Sequence, residues 1–364
     1  MKVAIVHDFI QTMGGAERVT LELSKIYPQA PIYTLTFNPK LANFFPPERI
    51  KTSYLQKLSW LPSHWLFPLY PKAIESFDFD DFDIVISSSN SYAKNIITKP
   101  TTHHLSYVHS PMRPLWDTWH TYLQDRTKNP LVQWVVRGIL HRMRIWDFLG
   151  ANRVDTFIAN SQNVANRIQK YYRRDATVIY PPVDVEHITP TPNHQGYFLV
   201  VSRLSRYKRI DLAVTACNEL KLPLKVIGVG EELDNLKRLA GPTVEFLGWQ
   251  DDIGKFQYLE NCQALIFPGE EDLGIVPIEA MAAGKPVIAF GKGGLLETVV
   301  DGKTGIFFPH QATQSLVSAL HHYLQNPDHF NYQAISNHAQ TFSATNFVSK
   351  IKQLVNDAIP HGHR

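Results

Sequence analysis

The chain has 364 residues, of which 19% are charged and 44% hydrophobic, and its net charge is +3. That length suffices for two α/β domains with separate cores, and the balanced composition excludes a disordered chain. Cys217 and Cys262 are the two cysteines, and their wide separation excludes a disulfide scaffold or a cysteine-rich metal site. The chain has no apolar run long enough to span a membrane, and its start lacks the apolar core of a signal peptide. A reduced, cytoplasmic protein is therefore expected.

The charge is divided unevenly along the chain. Through Val185 there are 21 lysines and arginines against 15 aspartates and glutamates, whereas the remaining residues carry 15 against 18. A basic first half predicts an anionic partner on that side, either a phospholipid surface or a lipid pyrophosphate. No nucleic-acid-binding motif accompanies these charges, so a nucleic acid is not an expected partner.

Short apolar strands alternate with helical patterns along the chain. In the first half, a helix is predicted over Ala16–Ile26, and the predicted strands are Val3–Val6, Ile32–Leu35, Ile84–Ser87, His104–Val108, Thr156–Ala159 and Thr177–Ile179. In the second half, the predicted strands are Tyr197–Val201, Leu224–Ile227, Val244–Phe246, Ala264–Phe267 and Val287–Ala289. Proline-rich, polar residues between Tyr180 and Gln195 predict an interdomain linker. The alternation predicts an α/β fold with two Rossmann-like, doubly wound parallel sheets, in domains over residues 1–185 and 190–343.

Four motifs after predicted strands each have a functional and an ordinary interpretation. Gly14 and Gly15 open a helix, where they either let a ligand approach the backbone or form a tight turn. Gly230 also fits both close phosphate or ribose contact and turn geometry. His109 closes a strand, the position of sites in such sheets, although a lone histidine there is more often packed and hydrogen-bonded. Trp249 follows another strand and is a candidate floor for a nucleobase pocket.

Two cations follow the first strand of the second half. Arg203 and Lys208 are five positions apart in a strand-to-helix loop, so they can reach both phosphates of a diphosphate. There they would stabilise the charge on a departing nucleotide. The alternative is a solvated basic loop, since Arg206 and Arg209 are also charged.

The segment Phe267–Ala289 (FPGEEDLGIVPIEAMAAGKPVIA) carries the most information. It predicts a strand, a loop, a helix over Val276–Ala283 and a second strand, which is the repeating unit of a parallel sheet. The free N–H groups of Leu273 to Val276 form a ready anion site at the helix N-terminus. Glu271 in the loop and Glu279 in the helix could hold hydroxyl groups on either side of that anion. A nucleoside diphosphate sugar has this layout of ribose diol, diphosphate and hexose.

These residues resemble a known family. Glu271-x7-Glu279, followed by Ala280-Met281-Ala282 and Gly284-x-Pro286-Val287, is similar to the signature of the retaining glycosyltransferases of family 4, which have the GT-B fold. The string EEDLGIVPIEAMAAGKPVIAFGKGG most resembles members that use GDP-mannose, and YVHSPMRPLWD, around His109, resembles the corresponding segment of mannose-transferring members. This chain has Asp272 where many members have glycine.

The resemblance implies roles for individual residues. Two domains would face a central cleft, and the last helix, about residues 344–359, would return to the first domain. In the implied mechanism the hexose is held by Glu271 and by backbone N–H groups, those of Asp272, Leu273 and Gly274, with Ile275 and Val276 completing the donor site. Glu279 would bind the ribose diol. Arg203 and Lys208 would bind the diphosphate. His109 and the Gly14-Gly15 loop would lie on the donor side. Arg113 and Trp116 are candidates for the acceptor side.

The resulting prediction is a retaining, metal-independent hexosyltransferase without a cofactor, which moves mannose from GDP-mannose to a saccharide or lipid-linked saccharide. A UDP- or ADP-sugar-dependent transferase, a sugar-nucleotide epimerase and a non-catalytic sugar-nucleotide-binding protein are the alternatives. Two aromatic and basic segments, Lys51–Lys72 and Pro130–Trp146, either lie on the anionic inner face of the cell membrane or bury their apolar side in the domain core. The acidic run Asp78–Asp83 contains two DxD triplets. It precedes a strand, so a solvated turn is expected there and not a metal site.

Overall fold

The computed structural model describes residues 1–119 and 129–358. Contacts between residues divide the chain into two compact units. The first unit contains Met1–Pro182 together with the residues from Phe347 onward, and the second contains Val183–Asn346. Each unit is an α/β domain built on one parallel sheet.

The first unit has a seven-stranded sheet in the order β3-β2-β1-β4-β5-β6-β7, and all neighbouring strands are parallel. Its strands are β1 (Val3–His7), β2 (Ile32–Thr34), β3 (Ile50–Thr52), β4 (Ile84–Ser89), β5 (His103–Val108), β6 (Thr156–Ala159) and β7 (Ala176–Val178). The sequence does not predict β3, because this edge strand is short and its residues are half-buried or exposed.

Helices cover this sheet. They are α1 (Gly15–Ile26), α2 (Ser63–Leu66), α3 (Tyr70–Ile74), α4 (Arg113–Trp116), α5 (Pro130–Ala151) and α6 (Gln162–Tyr172). The last described helix spans Ala344–Asp357, and its buried side chains Phe347, Ile351 and Val355 pack in the core of the first unit. The last helix therefore packs where the family resemblance implies, while the expected end at residue 359 lies outside the described residues.

The second unit has a six-stranded parallel sheet in the order β10-β9-β8-β11-β12-β13. Its strands are β8 (Phe198–Val201), β9 (Leu224–Ile227), β10 (Val244–Gly248), β11 (Ala264–Phe267), β12 (Val287–Phe290) and β13 (Gly305–Phe308). The edge strand β13 is a second addition to the predicted set. Its helices are α7 (Ile210–Leu220), α8 (Leu233–Leu239), α9 (Asp252–Asn261), α10 (Ile275–Ala282), α11 (Leu295–Thr298), α12 (Thr313–Gln325) and α13 (Tyr332–Ala339), and the helix over Ala344–Asp357 is α14.

The strand order determines where each unit can bind a ligand. In both sheets the order reverses once, between β1 and β4 in the first unit and between β8 and β11 in the second. At such a point the loops after adjacent strands diverge, and ligands bind in the crevice outside the carboxyl ends of the strands. The loops after β1 and β4 and those after β8 and β11 are therefore the expected binding positions, and the loop after β5 lies beside the loop after β4.

Two further sequence predictions concern charged and apolar segments. The acidic run Asp78–Asp83 is a turn before β4, and its four aspartates are exposed, as expected for a solvated turn. Within the described residues, no helix is both long and apolar enough to cross a bilayer.

Candidate functional site

The loops after β8 and β11 bring two of the predicted site residues into contact. The ammonium group of Lys208 forms an ion pair with the Oε1 atom of Glu271, and both side chains are mostly buried. Gly269 lies between β11 and Glu271, where a Cβ atom would come within 3.2 Å of the Lys208 carbonyl oxygen. The two loops are thus packed backbone to backbone at the point where the strand order reverses. A cation and a carboxylate that were predicted separately from the sequence belong to one cluster.

The N-terminus of α10 lies at the end of the same loop. The residue before the helix is Gly274, whose φ of 90° is a conformation that side-chain-bearing residues rarely adopt. Among the described residues, no side chain caps this end of the helix, and helix N-termini of this kind can bind an anion through their first N–H groups. The helix begins one residue before the predicted start, at Ile275. Leu273 is buried, whereas Asp272 and Val276 are half-buried.

Glu279 lies inside α10 and is paired with a lysine that the sequence motifs did not identify. Its carboxylate is almost fully buried, and Oε1 accepts a hydrogen bond of 2.7 Å from Lys255 Nζ on α9. Lys255 also contacts Asp252, at 3.1 Å. A buried carboxylate requires a nearby cation. Because the two partners lie 24 residues apart on different helices, no sequence spacing connects them.

A second glycine pair holds the loop that carries Glu271. The N–H group of Gly294 donates to the Glu271 carbonyl oxygen at 2.8 Å. A Cβ atom on Gly294 would lie 2.1 Å from the Asp272 carbonyl oxygen, and one on Gly293 would lie 2.4 Å from that of Glu271. Both glycines therefore allow a backbone approach that larger residues would block. They fall in the string FGKGG, which the family resemblance includes without assigning it a role.

The remaining predicted residues of the second unit differ in their surroundings: Arg203 and Trp249 are exposed, whereas Gly230 packs closely against the loop after β8. Arg203 is exposed, and Trp249 is 72% exposed after β10. A Cβ atom on Gly230 would lie 2.2 Å from the Leu204 carbonyl oxygen. Close packing between the loops after β8 and β9 therefore accounts for this glycine, and its contact with a donor stays a prediction.

His109 is a buried residue directly after β5 in the first unit. Its Nε2 atom lies 2.8 Å from Ser88 Oγ, and its carbonyl oxygen accepts a 3.0 Å hydrogen bond from the Asn160 side-chain amide. Burial, and to a smaller extent nearby His7, lower the pKa of His109 to about 3. The imidazole is therefore neutral near pH 7, and it can donate from one ring nitrogen only.

The glycine loop and the two acceptor-side candidates also belong to the first unit. Gly14 precedes α1, which begins at Gly15, and a Cβ atom on Gly14 would lie 2.9 Å from Glu17 Oε2. Arg113 and Trp116 are the ends of α4. The indole N–H of Trp116 donates to buried Asp147 at 2.8 Å. This hydrogen bond helps to hold Trp116 in place. The contact of Arg113 and Trp116 with the acceptor substrate stays a prediction.

Comparison with known proteins identifies the class to which this fold belongs. The structure of Anabaena HepE in complex with UDP superposes with a TM-score of 0.73 at 19% sequence identity, and the match covers 98% of this chain and all of HepE. Two parallel-sheet domains with such neighbours define the GT-B fold of glycosyltransferases.

Sequence comparison gives the family. The family model "Glycosyltransferase Family 4" matches residues 13–187, and "Glycosyl transferases group 1" matches residues 185–342. The chain belongs to the GT4-type glycosyltransferases. The predicted GT-B fold and family are both confirmed.

The curated relatives include several mannosyltransferases. The O-antigen chain mannosyltransferase C of Escherichia coli is 25% identical over 88% of this chain and 87% of its own length. The alpha-1,3/1,6-mannosyltransferase ALG2 of Dictyostelium discoideum is 33% identical over 34% of this chain and 36% of its own length. The chain spans less than half the length of several curated relatives that it matches at 30% identity or more.

Proposed function

We propose that the protein is a retaining, metal-independent hexosyltransferase that moves mannose from GDP-mannose to a saccharide or lipid-linked saccharide. The observation that carries this proposal is the contact of Lys208 with Glu271 beside the uncapped N-terminus of α10. It places a cation, a carboxylate and free N–H groups within one small region of the second unit. The mannosyltransferase relatives support the choice of hexose, and the guanine base follows the family resemblance.

Each group of this cluster has a task in the proposed reaction. Lys208 and Arg203 bind the diphosphate. Glu271, released from its ion pair with Lys208, accepts hydrogen bonds from hexose hydroxyls. The buried Glu279 accepts from the ribose diol while Lys255 balances its charge. The N–H groups at the start of α10 stabilise the anionic oxygens.

The chemical step requires no nucleophilic side chain. The bond between the anomeric carbon and the diphosphate oxygen breaks, and the acceptor hydroxyl oxygen bonds to the same face of that carbon. The hydroxyl proton passes to an oxygen of the leaving diphosphate, so that charge and atoms balance. Lys208 and Arg203 stabilise the negative charge that grows on the leaving group, the task that a divalent metal performs in other transferases.

A thermal-shift panel of nucleotide sugars, with metals chelated, tests the donor. A ligand at a hundred times its Kd stabilises the folded protein by about 2.7 kcal/mol, and we expect this response for GDP-mannose. A response to a UDP-sugar alone would overturn the donor assignment. A response that appears only when Mn²⁺ is added would support a metal site at Asp78–Asp83. Turnover of the nucleotide sugar without an acceptor would indicate an epimerase, and binding without transfer a non-catalytic protein.

We also propose that the long helix α5 contacts an anionic membrane. Part of this helix packs in the core of the first unit, through Leu140 and Met143, while other apolar side chains are exposed. The exposed apolar residues of α5 are Leu131, Val132, Trp134, Val135, Ile145, Phe148 and Leu149. Exposed Arg137, His141 and Arg142 accompany them, and the single acid of the helix, Asp147, is buried. Aromatic and aliphatic side chains with cations and no exposed acid are the chemistry that anionic lipid attracts.

Vesicle sedimentation tests this contact. We expect binding to vesicles that contain phosphatidylglycerol, and we expect the double substitution Leu131→Glu with Trp134→Glu to weaken it by about 10-fold or more, because it replaces two inserting groups by charges that anionic lipid repels. Ile253→Glu is the matched control, since Ile253 is 71% exposed in the second unit. Equal binding of the double variant and the wild type would exclude α5 as the contact.

A further inference from the structure

A chain of buried polar side chains connects His109, after β5, to the ends of β1 and β4, where the strand order of the first sheet reverses. His7 ends β1, Ser88 lies near the end of β4, and His109 follows β5. Thr20 and Glu17 approach from α1. His7, Ser88 and Thr20 are at most 1% exposed, and His109 is 8% exposed. Buried polar groups of this kind are hydrogen-bonded in a definite pattern.

The position of the first proton follows from the acceptors around His7. Its Nδ1 atom lies 3.0 Å from the Ser88 carbonyl oxygen, 3.2 Å from Ser88 Oγ and 3.0 Å from Thr20 Oγ1. A carbonyl oxygen can only accept, so Nδ1 of His7 carries a proton. Its other ring nitrogen, Nε2, faces Glu17 Oε1 at 3.7 Å.

The second proton follows from the first. Because His7 Nδ1 is a donor, Ser88 Oγ–H cannot donate to it. Among the described residues the remaining acceptor in contact with this hydroxyl is His109 Nε2, at 2.8 Å. Ser88 therefore donates to Nε2, and the neutral His109 carries its own proton on Nδ1. Within the described part of the chain, that Nδ1 makes no hydrogen bond.

We propose that Ser88 is a positioning residue that fixes His109 as the Nδ1–H tautomer, so that His109 meets its ligand as a hydrogen-bond donor. The ligand atom would be an oxygen that accepts this hydrogen bond. His109 would not take up a proton at Nδ1, because Nδ1 already carries one. This proposal rests on the proposed function only in naming a sugar oxygen as the acceptor. The tautomer itself is a property of the protein without donor.

Nitrogen-15 NMR of protein labelled at histidine tests the tautomer directly, because protonated and unprotonated ring nitrogens have well-separated shifts. The His109 signals are assigned by their loss in His109→Asn. We expect a protonated Nδ1 and an unprotonated Nε2 in the wild type, and a mixture of both tautomers in Ser88→Ala. A protonated Nε2 in the wild type would overturn the proposal without any variant. An unchanged single tautomer in Ser88→Ala would remove the role of Ser88.

The activity of two His109 variants tests whether Nδ1–H donates a hydrogen bond to the ligand. The amide nitrogen of asparagine occupies roughly the place of Nδ1, and that of glutamine the place of Nε2. His109→Asn should therefore retain about 10-fold more activity than His109→Gln, roughly the value of one hydrogen bond to the ligand. The reverse order would contradict an Nδ1–H donor. If no nucleotide sugar binds the wild type, the proposed function fails while the NMR result still decides the tautomer.

Discussion

Replacing Lys208 by alanine is expected to lower turnover by about 10²–10³-fold, the loss expected for one electrostatic stabiliser of a leaving group. The negative charge beside Lys208 grows as the diphosphate leaves, so Lys208 stabilises the transition state more than the bound donor. Turnover and kcat/KM should therefore fall by similar factors, whereas the Kd for the intact donor, whose diphosphate does not yet carry the leaving-group charge, should change less. Steady-state kinetics with the donor identified in the thermal-shift panel measure turnover and kcat/KM, and titration calorimetry without an acceptor measures the Kd for the donor.

The same loop supplies the control for this experiment. Arg206 is an exposed cation two residues earlier and has no assigned contact with the donor. Arg206→Ala should retain wild-type turnover, and Arg203→Ala should lose activity as Lys208→Ala does. If Arg206→Ala lost as much as Lys208→Ala, general attraction of an anion by a basic loop would explain the data. Wild-type turnover in both Lys208→Ala and Arg203→Ala would remove their assigned role.

Replacing Asp147 by alanine is expected to lower the free energy of unfolding by about 3–5 kcal/mol, because it leaves a buried ammonium group without its counter-charge. Lys94 Nζ contacts Asp147 Oδ1 at 2.7 Å, and the two side chains are 2% and 0% exposed. Asp147 Oδ2 accepts from Trp116 Nε1 and from the Tyr172 hydroxyl, each at 2.8 Å. Burial lowers the pKa of Lys94, and Asp147 opposes that shift. Urea unfolding of the full chain measures the change.

A double variant separates the ion pair from general packing. Lys94→Met combined with Asp147→Leu removes both charges together, and such replacements are often neutral or stabilising. We expect it to recover the part of the loss that comes from the unpaired ammonium group, whereas the hydrogen bonds of Trp116 Nε1 and the Tyr172 hydroxyl to Asp147 stay lost. A loss below about 1 kcal/mol in Asp147→Ala would show that water or a neutral lysine compensates, which would contradict a charged pair.

The sequence predicted the sheets well because their strands are buried on both faces. Runs such as Ala264–Phe267 and Thr156–Ala159 are apolar, short and bounded by turn residues, and both strands have the predicted limits. The edge strand β3 lacks this signal, whereas the apolar run of β13 is shorter, with three apolar residues after Gly305. β3 is partly exposed and polar, and β13 begins with a glycine after a turn. Their pairing depends on the neighbouring strand, which local sequence does not describe.

The candidate site was predictable where function depends on one loop or one helix. Glu271, Glu279 and the start of α10 fall within a single strand-loop-helix unit, so their spacing is visible in the sequence. The partners Lys255 and Ser88 were not predictable, because each meets its target through tertiary structure. Their side chains approach Glu279 and His109 from different elements, with no fixed spacing along the chain.

The central claim is that the second unit binds an activated sugar at the Lys208–Glu271 cluster and the start of α10. Amide hydrogen exchange with and without GDP-mannose tests it most directly, since it locates the bound ligand on the chain. The account predicts slower exchange at residues 272–276 and in the loop 203–208, with little change along the exposed face of α5. Protection confined to other segments, or no protection with any nucleotide sugar, would contradict it.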